Sequence, residues 1–159
     1  MRLLERITFI ACASLITLVL VWLCYDASKR VYADYLFSNA SYEPSFMKAE
    51  KMMVKALRIL PNNSFYEDTA GTVYYNVLAV TGDSRAYDNA SILLYRSYMH
   101  NPYDPQPLVH LVQLDILAVK IGLLQKPSDR GLWACDAVTN LDKNNTTIRN
   151  LAEELRRMK

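Results

Sequence analysis

From Ile7 to Tyr25 the chain carries no charged residue, and no other stretch limits its fold as tightly. As an α-helix these 19 positions, at about 1.5 Å each, approach the roughly 30 Å hydrocarbon core of a bilayer. A single domain within 159 residues rarely encloses so long an apolar helix on every face, so a transmembrane helix is predicted over 7–25 behind a short leader, 1–6. Trp22 and Tyr25 stand at its C-terminal end, where amphipathic rings favour the headgroup zone, and are its candidate membrane anchors. A cleaved signal peptide is the rival reading. Against it, the run exceeds the usual apolar core of about 7–15 residues, and no small-x-small cleavage site follows before Asp26. Leu23 is too bulky to precede a lipoprotein cysteine at Cys24. Arg2 and Arg6 before the helix nearly balance Lys29 and Arg30 after it, but a short basic leader commonly sends the remainder across. The expectation is a single-pass protein with its bulk extracytoplasmic, periplasmic in a bacterium.

The remainder, 26–159, is expected to be one helical domain. The composition, 52% hydrophobic with 4 Gly, is compatible with helices, and 18 basic against 16 acidic residues leave no electrostatic footprint for nucleic acid. Val31, Tyr32, Tyr35 and Leu36 recur at helical spacing, so the membrane helix is expected to continue to about Phe37, with a turn at Ser38–Glu43 and Pro44 opening a second helix. Further helices are expected to end near Leu60, Val80, His100 and Lys120. Expected helix starts include Ser64, with Glu67 completing a capping box, Asp104, Ser128 and Thr146 or Thr147.

An internal echo organises these helices. Ala49, Met53, Ala56 and Pro61 return, with the same spacing, as Ala90, Leu94, Ser97 and Pro102, and Gly71 with Tyr74 follows the first copy. This pattern resembles the tetratricopeptide (TPR) repeat, a helix-turn-helix unit that stacks into a solenoid. Tyr74 and Ala90 lie about seven residues further apart than the family spacing, requiring longer helices or a larger turn. In a third, divergent unit Val112 and Asp115 replace the glycine and tyrosine, and Lys143 replaces the proline. The resemblance implies an all-α fold: a transmembrane helix, then a TPR-like α-solenoid of about three helix pairs. The stripe Ile148, Leu151, Ala152, Leu155 ends the array as a polar-backed capping helix.

Chemistry-bearing patterns are sparse. His100 and His110 lack the helical neighbours of a metal site, apart from Asp104 across a turn from His100, and Cys135 has no nearby histidine in sequence. Without a phosphate loop or nucleophile motif, neither enzyme activity, a cofactor, a metal nor a small-molecule substrate is expected. Asn39, Asn62, Asn89, Asn144 and Asn145 each begin Asn-x-Ser/Thr, sites for glycans if the domain were lumenal in a eukaryote. In the TPR family the groove lined by the first helix of each pair binds an extended peptide or partner helix. By helical phase this implies Asp68, Thr72, Tyr75, Asn76, Gln106 and Gln113 as the partner-binding groove. The resemblance thus implies a membrane-anchored scaffold or adaptor binding protein partners in a membrane or cell-envelope assembly, such as pilus or surface-polysaccharide machinery. The alternative is a structural accessory subunit of a membrane enzyme complex, its anchor packing through Ala11, Ala13 and Ser14.

Overall fold

The computed structural model describes the backbone of residues 2–142 and 144–158, and side chains from residue 10 onward. Lys143, the expected proline substitute, and Lys159, the expected chain end of the last helix, lie outside the described residues. Every regular element among the described residues is an α-helix. They form two compact units, Met1–Pro61 and Asn62–Lys159.

The first unit is a helix pair, α1 (Arg2–Tyr42) and α2 (Phe46–Ile59). The segment Ile10–Tyr42 of α1 is long and apolar enough to cross a membrane, and its most apolar window is buried by no part of the protein. Beyond Tyr25 the same helix becomes half of a packed pair. Ala33, Leu36, Phe37 and Ala40 are buried at helical spacing, as are Ala49, Met53 and Ala56 of α2, which packs along it. This packing overrides the turn expected at Ser38–Glu43. Asn39 and Ser41 bond back to the Tyr35 and Phe37 carbonyls, their side chains spent on prolonging the helix rather than reversing it. The helix therefore stops only after Tyr42, and Pro44 falls before the N-cap, Ser45, instead of inside the first turn.

The second unit contains α3 (Ser64–Thr81), α4 (Ser84–His100), α5 (Gln106–Lys120), α6 (Asp129–Leu141) and α7 (Thr146–Arg157). Gly82, at φ 68°, supplies the left-handed residue that ends α3, and Asp83 caps α4 by accepting the Arg85 N–H, so two long helices are joined by two residues. Each helix packs on the next, while α5 also packs on α3 and α7. On the opposite side α4 meets α6, where Tyr95 and Tyr98 place their rings edge-on to Trp133 at 5.4 and 5.6 Å. The result is two layers, α3, α5 and α7 in one and α4 and α6 in the other.

Helix starts and buried seams share one period. Asn63 caps α3 by accepting the Tyr66 N–H, Asp104 accepts the Gln106 N–H at the start of α5, and Asn145 caps α7, at a constant step of 41 residues. The echoed seam obeys the same step. Ala49, Met53 and Ala56 of α2 correspond to Ala90, Leu94 and Ser97 of α4 and to Gly131, Cys135 and Val138 of α6, all nine buried. Two caps differ from expectation: Asn63 replaces Ser64, and Asn145 replaces Thr146 or Thr147. An asparagine one residue earlier leaves the following hydroxyls inside the first helical turn.

Candidate partner-binding face

The layer of α3, α5 and α7 presents an open depression of about 260 Å³, lined by Tyr75, Gln113, Ile116, Leu117, Lys120, Leu151 and Glu154. Aliphatic side chains form its floor. Lys120 and Glu154 pair across α5 and α7 at 2.7 Å, both exposed, so this ion pair contributes little stability. Along the same α3–α5 seam, His110 Nδ1 lies 3.0 Å from Asp68 Oδ1 and 3.4 Å from the Thr72 hydroxyl, with the His110 and Asp68 side chains about a quarter exposed. Thr72 also donates to the Asp68 carbonyl, which fixes its hydroxyl beside the imidazole.

Of the six groove residues expected from helical phase, Asp68 and Thr72 meet around His110, while Tyr75 and Gln113 share the depression. Asn76 and Gln106 are exposed and belong to neither cluster. His110, for which the sequence excluded only a metal site, joins α3 to α5, its partner Asp68 lying 42 residues away. No spacing within one helix could reveal it.

Two buried carboxylates hold the layers in register. Glu67, fully buried, faces α4, where His100 Nδ1 reaches Oε2 at 2.6 Å and Arg96 reaches Oε1 at 2.9 Å as an ion pair without hydrogen-bond alignment. It is therefore not the capping-box partner expected from Ser64-x-x-Glu67. With Asn63 as cap, Glu67 falls one position deeper and turns inward. Asp115, 1% exposed, accepts the Tyr87 hydroxyl at 2.8 Å and the Ser128 backbone N–H at 2.6 Å, tying α4 and α5 to the start of α6. The positive end of α6 favours a carboxylate there. Burial, then the charge of Asp115, raise the Tyr87 pKa, while the Ser128 hydrogen bond opposes them, so this phenol stays a donor. Gly131 is the sequence signal for the site: any β-carbon there would collide with the Asp115 side chain.

Cys135 is buried in the seam of α6, its Sγ 3.6 Å from the Ala152 carbonyl. Among the described residues no group of three or more His, Cys, Asp or Glu is placed to hold a metal ion. Trp22 and Tyr25 are 63% and 60% exposed on α1, and Lys29 lies over the Tyr25 ring at 4.3 Å, a turn beyond the apolar run. Asn145, read as one of five glycan sites, spends its side chain on capping α7 and on Asp142. Comparison with protein-family models and with curated proteins returned no match.

Proposed function

We propose that this chain is a membrane-anchored scaffold of the TPR kind, which holds a protein partner on the α3/α5/α7 face close to the bilayer. The observation that carries the reading is the depression crossing these three helices, with polar and charged groups set around an aliphatic floor. It lies on a chain whose first helix exposes a bilayer-length apolar surface. The layering within the second unit, with α3, α5 and α7 side by side and α4 and α6 behind them, supports a stack of helix hairpins. The step of 41 residues exceeds the family's usual period of about 34. The excess resides in the long α3 and α4 of one unit and in the 121–128 loop of the next.

The partner is an extended peptide or helix that lays apolar side chains over Leu117 and Leu151 and offers charges to Asp68, Lys120 and Glu154. The bulk of the chain faces the extracytoplasmic side, in an envelope assembly such as pilus or surface-polysaccharide machinery if the host is bacterial. Exposure of the small residues Ala11, Ala13 and Ser14 on α1 favours, as a second reading, an accessory subunit packed on other membrane helices. Substituting Tyr75 and Gln113, both in the depression, together with alanine separates the two. Loss of a co-purifying chain in mild detergent, with helicity unchanged, supports the scaffold; retention of a stoichiometric membrane subunit supports the accessory role. A reporter active on only one side of the membrane, fused after Lys159, tests the sidedness.

A further inference from the structure

We infer that the bilayer-facing end of the α1–α2 hairpin is a cationic collar that binds the headgroups of anionic phospholipids. Lys29 and Arg30 of α1 and Lys55 and Arg58 of α2 form it, all four exposed.

The fold brings the two pairs to one level. Only Glu43, Pro44 and Ser45 separate the helices, so α2 runs back along α1 toward the end of the apolar run. Lys55 Nζ donates to the Tyr32 hydroxyl at 2.8 Å and lies 5.1 Å from the centre of its ring, which sets the register. Three residues on, Arg58 stands about 4.5 Å lower, near the level of Lys29 and Arg30. By the same rise the four bases lie about 6–11 Å beyond Tyr25, where the apolar run ends. The headgroup zone fills about 5–8 Å on each side of the hydrocarbon core, within reach of lysine and arginine side chains that extend toward it.

Charge selects the occupant. The exposed stripe Lys48, Lys51, Lys55 and Arg58 of α2 contains no acid, and Glu50 lies outside it. Lys48 stands in the first turn, where the helix dipole favours an acid, so the stripe does not serve the helix itself. Residues 26–61 carry six basic against four acidic side chains, whereas 62–159 carry ten against eleven, so the positive excess lies in the membrane-side unit. At the collar, Asp26 pairs with Arg30 at 2.8 Å, but both are exposed enough that the pair is weak. Asp34 is the other carboxylate there, and four bases against two acids leave the collar positive. An anionic phospholipid surface supplies the missing charge, worth about fivefold in association for each base beside it. This inference rests on the membrane-spanning reading of α1 and holds for either sidedness.

Trp22, exposed near the end of the apolar run, is a built-in reporter. Full-length protein carrying Trp133→Phe is reconstituted in phosphatidylcholine vesicles that contain, as the same minor component, either brominated phosphatidylglycerol or brominated phosphatidylcholine. Bromine on the acyl chains quenches indole fluorescence at contact range. The brominated phosphatidylglycerol should quench at a severalfold lower mole fraction, and rising salt should weaken that preference. Lys29→Gln, Arg30→Gln, Lys55→Gln and Arg58→Gln together should abolish it, whereas Lys29→Arg with Lys55→Arg should keep it. Lys48→Gln with Lys51→Gln, about 10–15 Å further from the bilayer than Arg58, should change it little. Equal quenching by the two brominated lipids, or a preference that survives the four glutamines with helicity intact, overturns the collar and leaves the membrane anchor standing. A loss as large from Lys48→Gln with Lys51→Gln overturns the assignment to this level of the hairpin. Quenching by neither lipid overturns the anchor as well.

Discussion

Replacing Gly131 with alanine should destabilise the second unit, although alanine is the better helix former. In an open helix the change would gain about 1 kcal/mol. Here the added carbon would stand 2.9 Å from Asp115 Cβ and closer to its carboxylate, which the Tyr87 hydroxyl and the Ser128 N–H hold from two other directions. The carboxylate must move and lose one or both bonds, each worth about 1.5–3 kcal/mol for a buried charged acceptor. The net expectation is a loss of about 2–4 kcal/mol, a melting point roughly 10–20 °C lower for a unit of this size. Circular-dichroism melts of the full chain in detergent give the comparison. Asp115→Ala should also destabilise, and adding Gly131→Ala to it should cost little more, because the obstruction is gone. If Gly131→Ala raises the melting point, or if the two substitutions add, the register-holding role of Asp115 is wrong.

Glu67→Gln should cost about 1–3 kcal/mol by removing a buried charge from His100 and Arg96, whereas Glu154→Gln, which breaks the exposed pair with Lys120, should stay within about 0.5 kcal/mol; urea titration of both variants tests the contrast. Tyr87→Phe should remove an alkaline sensitivity. The folded-state pKa of Tyr87 lies above its ordinary 10.0, so above that pH the unfolded chain releases a proton that the folded chain retains, and stability falls as pH rises. Melts from pH 9 to 11, about the tyrosine range, should decline less steeply for the variant, and equal slopes would refute the assignment.

The helices were largely legible because their punctuation is local: Gly82 and Asp83 between α3 and α4, Asp104 before α5 and Ser128 before α6 stand where their chemistry ends or starts a helix. The echoed seam was legible for the same reason, since small and bulky residues at fixed spacing mark a buried face. Errors arose where one side chain had two possible uses. Asn39 and Ser41 have turn-forming side chains, but burial of Phe37 and Ala40 favoured helix; Ser64-x-x-Glu67 matches a capping box, but Asn63 took the cap and released Glu67 toward His100. The links through His110 and Asp115 join residues from different helices, beyond the reach of spacing within any one of them. Asp115 stood out in sequence only as a missing tyrosine.

Photo-cross-linking in living cells tests the docking face most directly. A photoreactive residue at Tyr75 or Gln113, in the depression, is compared with one at Ile92 or Met99, exposed on α4. One discrete protein adduct is expected from Tyr75 and Gln113 and none from Ile92 or Met99. Adducts from the α4 positions with none from the depression would contradict it.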